Sequence, residues 1–243
     1  MSQRSLTAVA ALVCALALAA CGSSSTSTSS TSGASGNSAA SMSSAAASAG
    51  SSSQTVTDAS SGAATGPTIG YEGVPLERGP YLAPPSTTSP RGVTVDGIKC
   101  APIEQLYYHI HAHLAVFDNG RLYALPAGIG IPGSTDYQTQ YGPVAIGAHC
   151  FYWLHTHTAD GVIHIESPKP AIYDLGDFFD IWHQPLSGDQ VASLHGKITA
   201  FVNGHAWTRS LRAIPLLPHE DIQFDIGDPI PPIVKIDWSK TQL

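Results

Sequence analysis

Residues 107–117 read YYHIHAHLAVF, with histidine at 109, 111 and 113 and Ile110, Ala112 and Leu114 between them. This strict alternation constrains the fold more than any other feature of the chain. Successive side chains of a strand point to opposite faces, so a period of two demands a strand and excludes a helix. Asp118-Asn119-Gly120 follows, and Asn-Gly between two apolar runs is a hairpin signal. The reading is therefore strand, tight turn, then a returning strand RLYAL from Arg121. KITAF and HAWTRSL repeat the device around Asn203-Gly204.

Further along, FYWLHTH and GVIHIES read as two strands around the turn TADG (residues 158–161). Asp174 is placed to cap a short helix, LGDFFDIWHQ, whose Leu175, Phe178, Phe179 and Trp182 recur at helical spacing. EDIQFDIG is a last strand and PIPPIVKIDW an extended tail. The glycine-rich loop PAGIGIPGS lacks the lysine and the spacing of a phosphate loop. The expected fold is mainly β: an antiparallel sandwich or small barrel with one short helix. A β-grasp-like α+β sheet is the second choice.

The chain opens MSQR, followed by an apolar run over residues 6–20 and then Cys21. A basic start, a short apolar stretch and small residues before the cysteine mark residues 1–20 as an export signal, too short for a comfortable membrane span. The tetrapeptide LAAC (residues 18–21) resembles the lipobox of bacterial lipoproteins. That resemblance implies lipidation of Cys21 and a membrane anchor in the cell envelope, outside the cytoplasm. Residues 22–66 are almost entirely Ser, Ala, Thr and Gly with a single charge, Asp58. Such a stretch cannot bury enough apolar surface to offset its ordering entropy, so residues 21–66 read as a tether. Residues 67–92, rich in Pro and Gly, read as an extended lead-in, and residues 93–243 as one globular domain.

The formal net charge is −7, from 11 Lys+Arg against 18 Asp+Glu, with no basic cluster. Nucleic acid is thereby disfavoured as a partner, and no feature singles out a protein partner. Of the four cysteines, Cys14 falls in the signal and Cys21 is the anchor. Cys100 and Cys150 remain, and in an oxidising compartment two such thiols pair. The competing reading makes Cys150 a metal thiolate beside His149.

The histidines carry the chemistry. His109, His111 and His113 share one strand face, His155 and His157 another, and His164 shares a third with Glu166. Imidazole is the commonest protein ligand for copper, zinc, iron and nickel. His-x-His on a strand puts two Cα atoms roughly 6.5–7 Å apart, whereas positions i and i+4 stand about 13 Å apart. One ion cannot collect His109, His111 and His113 from a regular strand. A bulge, two ions, or a histidine that orients the others would resolve this. Glu166 is a ligand, a proton acceptor at a metal, or a hydrogen-bond acceptor for a ligating imidazole. Asp160 reads as turn chemistry. The remaining histidines show no spacing pattern, and a merely polar or pH-sensitive face is the plain alternative. A nitrogen-rich set favours copper, then zinc, over oxygen-loving cations. The only methionines are Met1 and Met42, which disfavours a Cu(I) shuttle.

Three functions follow: metal capture or handling, a metal-dependent oxidoreductase or hydrolase, and a metal-free cell-surface interaction domain. HTHTAD lacks the final histidine of the metallo-β-lactamase motif, and the cupin spacing is not met. No G-x-S-x-G elbow occurs. The combination HIHAHL, CFYWLHTH, GVIHIESP and LGDFFDIW resembles a recurring domain of exported bacterial and archaeal proteins over about residues 100–226. The resemblance implies domain limits rather than an activity.

Overall fold

The computed structural model describes residues 68–84 and 92–243; residues 1–67, with the signal, Cys21 and the tether, lie outside them. In chain order the strands are β1 (Cys100–Ala101), β2 (Tyr108–Asp118), β3 (Arg121–Tyr123), β4 (Thr135–Thr139), β5 (Gly142–Ile146), β6 (Phe151–Tyr152), β7 (Leu154–His155) and β8 (Val162–Ser167). The helix α1 (Leu175–Trp182) follows, then β9 (Gln190–Val191), β10 (Leu194–His195), β11 (Ile198–Val202), β12 (His205–Trp207) and β13 (Glu220–Ile226). No helix of the described residues is long and apolar enough to cross a membrane.

A seven-stranded sheet runs in the order β12-β11-β13-β2-β8-β7, with β3 pairing the far end of β2. Both expected hairpins form, β2–β3 across Asn119-Gly120 and β11–β12 across Asn203-Gly204. Both asparagines take positive φ (48° and 51°), as does each following glycine, the geometry that makes Asn-Gly suited to such turns. The pairs β4–β5, β1–β6 and β9–β10 form small sheets of their own.

The apolar positions of the alternating strands build the core. Ala112, Leu114, Val116, Ile163, Ile165 and Leu154 join Phe178, Phe179 and Trp182 of α1 in one cluster. The helix begins where Asp177 accepts a hydrogen bond from the Asp174 backbone N–H at 3.0 Å, and it ends at His183 in the left-handed region. Aromatic residues on one helix face thus cover one face of the sheet, and the histidines emerge on the other.

The fold is mainly β with one short helix, consistent with the expected sandwich, and three details differ from expectation. The sheet is mixed, because β13 lies parallel to β2 from Glu220↔Ala112 to Ile226↔Asp118. Residues 111–116 of β2 are buried on both faces, which marks a central strand, but alternation says nothing about a neighbour's direction. No barrel closes: the sheet ends at β12 and β7. The lead-in is part of the packed body, with Val74 and Leu82 fully buried. Leu82 N–H donates to Ala124 O and Ala124 N–H to Pro80 O, both at 2.9 Å, which fastens this segment beside β3. Pro and Gly content marks turns and non-helical backbone; it does not forbid burial of the leucines between them.

Cys100 and Cys150 are disulfide-bonded, with Cα atoms 5.4 Å apart. The bond ties β1 to the approach to β6 and removes Cys150 from the candidate metal ligands.

If the lead-in belongs to the core, Leu82→Ala should cost about 2–5 kcal/mol, as a buried leucine truncation does. A urea unfolding midpoint unchanged by Leu82→Ala would show the segment to be a loose strap.

Candidate metal centre

Strand register assembles the site. β8 pairs antiparallel with β2, so His109 faces Glu166, His111 faces His164 and His113 faces Val162. On the other side β7 pairs with β8, placing His155 opposite His164. Residues directly opposite share a face. His155, His164 and His111 therefore form a row across three neighbouring strands, with Glu166 and His109 in the next row.

His155 and His157 are oriented by main-chain acceptors. His155 Nδ1 donates to Tyr152 O and His157 Nδ1 to Ala145 O, both at 2.8 Å. A carbonyl only accepts, so each Nδ1 must carry the ring hydrogen in the neutral imidazole. Each Nε2 then presents a bare lone pair, and the two Nε2 atoms are 3.1 Å apart. Burial, reinforced by the nearby histidine charges, holds His155 well below its ordinary value, and burial followed by His164 lowers His157. Burial disfavours the proton that could bridge the two lone pairs, and a metal cation between them would relieve their clash. Two nitrogens bound at 2.0–2.1 Å to a tetrahedral ion stand about 3.3 Å apart.

His164 completes the set from the opposite strand. Its Nε2 lies 3.0 Å from Glu72 Oε1 and its Nδ1 3.4 Å from Glu166 Oε1. Burial works against the charged ring, but Glu72 and Glu166 together outweigh it and raise His164 to about 10. Burial likewise raises both carboxyls, and the histidines overcome it. Glu72 is lowered by His164, and Glu166 is held well below the carboxylate range by hydrogen bonds from His109 and His164. His155, His157, His164 and Glu166 each offer a donor atom within 4.8 Å of the others. In this arrangement a carboxylate held so low could serve as a ligand and is a poor proton acceptor.

His109 and His111 approach from β2. His109 Nε2 is 3.1 Å from Glu166 Oε1, and His109, His111 and His164 form a second group with donor atoms within 4.8 Å. His113 stands apart. Its Nε2 is 3.9 Å from Glu77 Oε1, its ring bonds the Asp160 backbone, and burial lowers it to about 4. Five of the six candidate histidines thus converge, and His113 belongs to a neighbouring buried network, as the length of the strand dictates.

Four carboxylates were missed or underrated by sequence reasoning. Glu72 and Glu77 sit in the lead-in, YEGVPLERG, where nothing separates them from linker residues. Glu104 Oε1 lies 3.4 Å from His157 Nε2 at the rim, and burial followed by Glu166 raises it. Asp160 makes the expected turn bond, accepting from Val162 N–H at 3.1 Å. It is also fully buried, and burial followed by Glu72 pushes it up to about 7. The site opens into a cavity of about 450 Å³ lined by Glu72, Glu104, His109, His157, His164 and Glu166, with Tyr71, Leu106 and Ile146 among its apolar walls.

Compared with protein-family profiles, curated proteins and solved structures, the chain matches none. The chemistry of the site therefore rests on its own residues.

The titrations set the pH behaviour of the metal-free domain. His164, raised from 6.5 to about 10, contributes stability that is full below pH 6.5 and is lost as pH rises through 10. His111, His113, His155 and His157 are depressed, so their contribution is present above pH 6.5 and is lost as pH falls. Together with the lowered Glu72 and Glu166 they outnumber the buried carboxyls Glu77, Asp160, Glu220 and Asp225, whose raised values act oppositely. Stability should peak near pH 6.5 and fall on both sides, with a shallower alkaline limb in Glu72→Gln. Thermal midpoints of chelator-treated protein from pH 5 to 10 measure this, and a midpoint rising steadily to pH 9 would contradict it.

Proposed function

We propose that this domain binds a transition-metal ion, copper or zinc, through His155 Nε2, His157 Nε2, His164 Nδ1 and Glu166, for metal capture or handling outside the cytoplasm. The observation that carries the reading is the pair of Nε2 lone pairs 3.1 Å apart, each fixed by a main-chain acceptor on its Nδ1. Glu72 behind His164 supplies the usual carboxylate–imidazole–metal relay, which sets ring orientation and raises ligand basicity. Three nitrogens and one carboxylate suit Cu(II) or Zn(II), and the absence of any methionine other than Met1 and Met42 leaves no thioether set for Cu(I). The lipobox-like LAAC supports anchoring through Cys21, and the Ser/Ala-rich residues 22–66 support a tether that holds the domain off the membrane.

One observation favours a second reading, a metal-dependent hydrolase or oxidoreductase. His157, His164 and Glu166 border an open cavity, so a coordination position faces a space able to admit a small molecule. In that reading Glu166 serves as a ligand. The proton-accepting role that the sequence suggested for it is disfavoured by its lowered value.

Zinc or copper should raise the thermal midpoint of the metal-free protein by mass action. His155→Ala and His157→Ala should each reduce that rise, and Glu72→Gln should weaken affinity about 10–100-fold. An ion at Nδ1 displaces the proton that His164 holds up to about pH 10, whereas His155 and His157 are already neutral. Affinity should therefore tighten up to about tenfold per pH unit between pH 6.5 and 8.5, with about one proton released. Calorimetry in buffers of different ionisation enthalpy counts that proton. Unaltered metal content in the two alanine variants would end the proposal.

A further inference from the structure

We propose that the same face holds a second transition-metal ion, bound by His109 and His111 and joined to the first through Glu166 as a bridging carboxylate. This inference rests on the first-ion reading above.

Geometry separates the imidazoles into two groups. His155 lies on β7 and His111 on β2, two strand spacings apart across β8, or roughly 9.5 Å at the backbone. The donor atoms of His111 do not gather with those of His155 and His157, whose group is completed by His164 and Glu166. His109, His111 and His164 nevertheless bring donor atoms within 4.8 Å of one another. The ring centroids of His109 and His111 are 4.5 Å apart, and those of His111 and His164 4.6 Å apart.

Two buried atoms are left over by a single ion. His111 Nε2 has no hydrogen-bond partner among the described residues, although His111 is only 5 % exposed. Glu166 Oε2 is likewise unpartnered, on a residue 2 % exposed. An unmet buried polar atom costs about 1–3 kcal/mol. Glu166 Oε1 already touches both groups, at 3.1 Å from His109 Nε2 and 3.7 Å from His155 Nε2. A carboxylate has two oxygens and about four lone-pair directions, enough to hold one ion on each side. Paired ions in such centres stand about 3.5–4 Å apart. His109, with a side chain 36 % exposed, leaves the second position accessible from the cavity.

The test is metal stoichiometry and magnetic coupling. The full chain is stripped with chelator, loaded separately with Zn(II) and Cu(II), desalted, and analysed for metal per chain. Two equivalents are expected, with a Cu(II) resonance that integrates to well below the copper present because neighbouring ions couple. His109→Ala, at the partly exposed position, and His111→Ala should each retain one equivalent and give the full signal of an isolated Cu(II). Circular dichroism checks that both variants are folded. One equivalent in the unaltered chain, or two in folded His109→Ala, would overturn the second ion while leaving the first. No bound metal in the unaltered chain would remove both proposals.

Discussion

The register of β8 between β7 and β2 is the constraint on which the site depends. Pairing His155 with His164 and His111 with His164 places three imidazoles side by side across adjacent strands. A slip of one residue would send His164 and Glu166 into the apolar core and bring Ile163 and Ile165 to the site face. The core enforces the register from below. Ile163, Ile165, Leu154 and Ala112 pack under Phe178, Phe179 and Trp182, and only one pairing buries them all. Hydrophobic burial on one face thus determines the position of ligand atoms on the other.

The second determinant is charge brought in from outside the sheet. Glu72 and Glu77 come from a segment that buries Val74 and Leu82 beside β3. The carboxylates lie on the histidine side, where Glu72 faces His164 and Glu77 faces His113. Without a cation, buried Glu72 and Glu166 are balanced by a protonated His164. A metal ion would take over that compensation. The proton and such an ion would answer to the same buried negative charge, which would couple folding, pH and metal occupancy in one small region.

Particular residues show how far the sequence reached. The alternation through His109–His113 identified β2, and Asn-Gly identified both hairpins, because strand period and turn chemistry are local. Leu175, Phe178, Phe179 and Trp182 identified α1 for the same reason. The convergence of His155, His164 and Glu166 was likewise foreseeable from shared strand faces, whereas His157 joins them from a bend beyond the end of β7. The roles of Glu72, Glu77 and Glu104 were not, because each reaches its histidine from a distant segment with no periodic pattern. The segregation of His113 followed from strand length, but its partners, Glu77 and the Asp160 backbone, did not.

By itself the sequence determined the long strand β2, both Asn-Gly hairpins, β8, β13 and α1, and which of their side chains share a face, since these depend on neighbours only a few positions apart; β4, β5, β9 and β10 were not legible in it. It also placed the nitrogen-rich ligand set on the chain. The tertiary structure alone decided that β13 runs parallel to β2, that the sheet stays open, and that the lead-in joins the core. It alone set two imidazole nitrogens 3.1 Å apart beside a carboxylate from another strand. Local propensity has no term for contacts between residues far apart in the chain, and those contacts gather a histidine-rich sheet face into a cluster that could hold a cation.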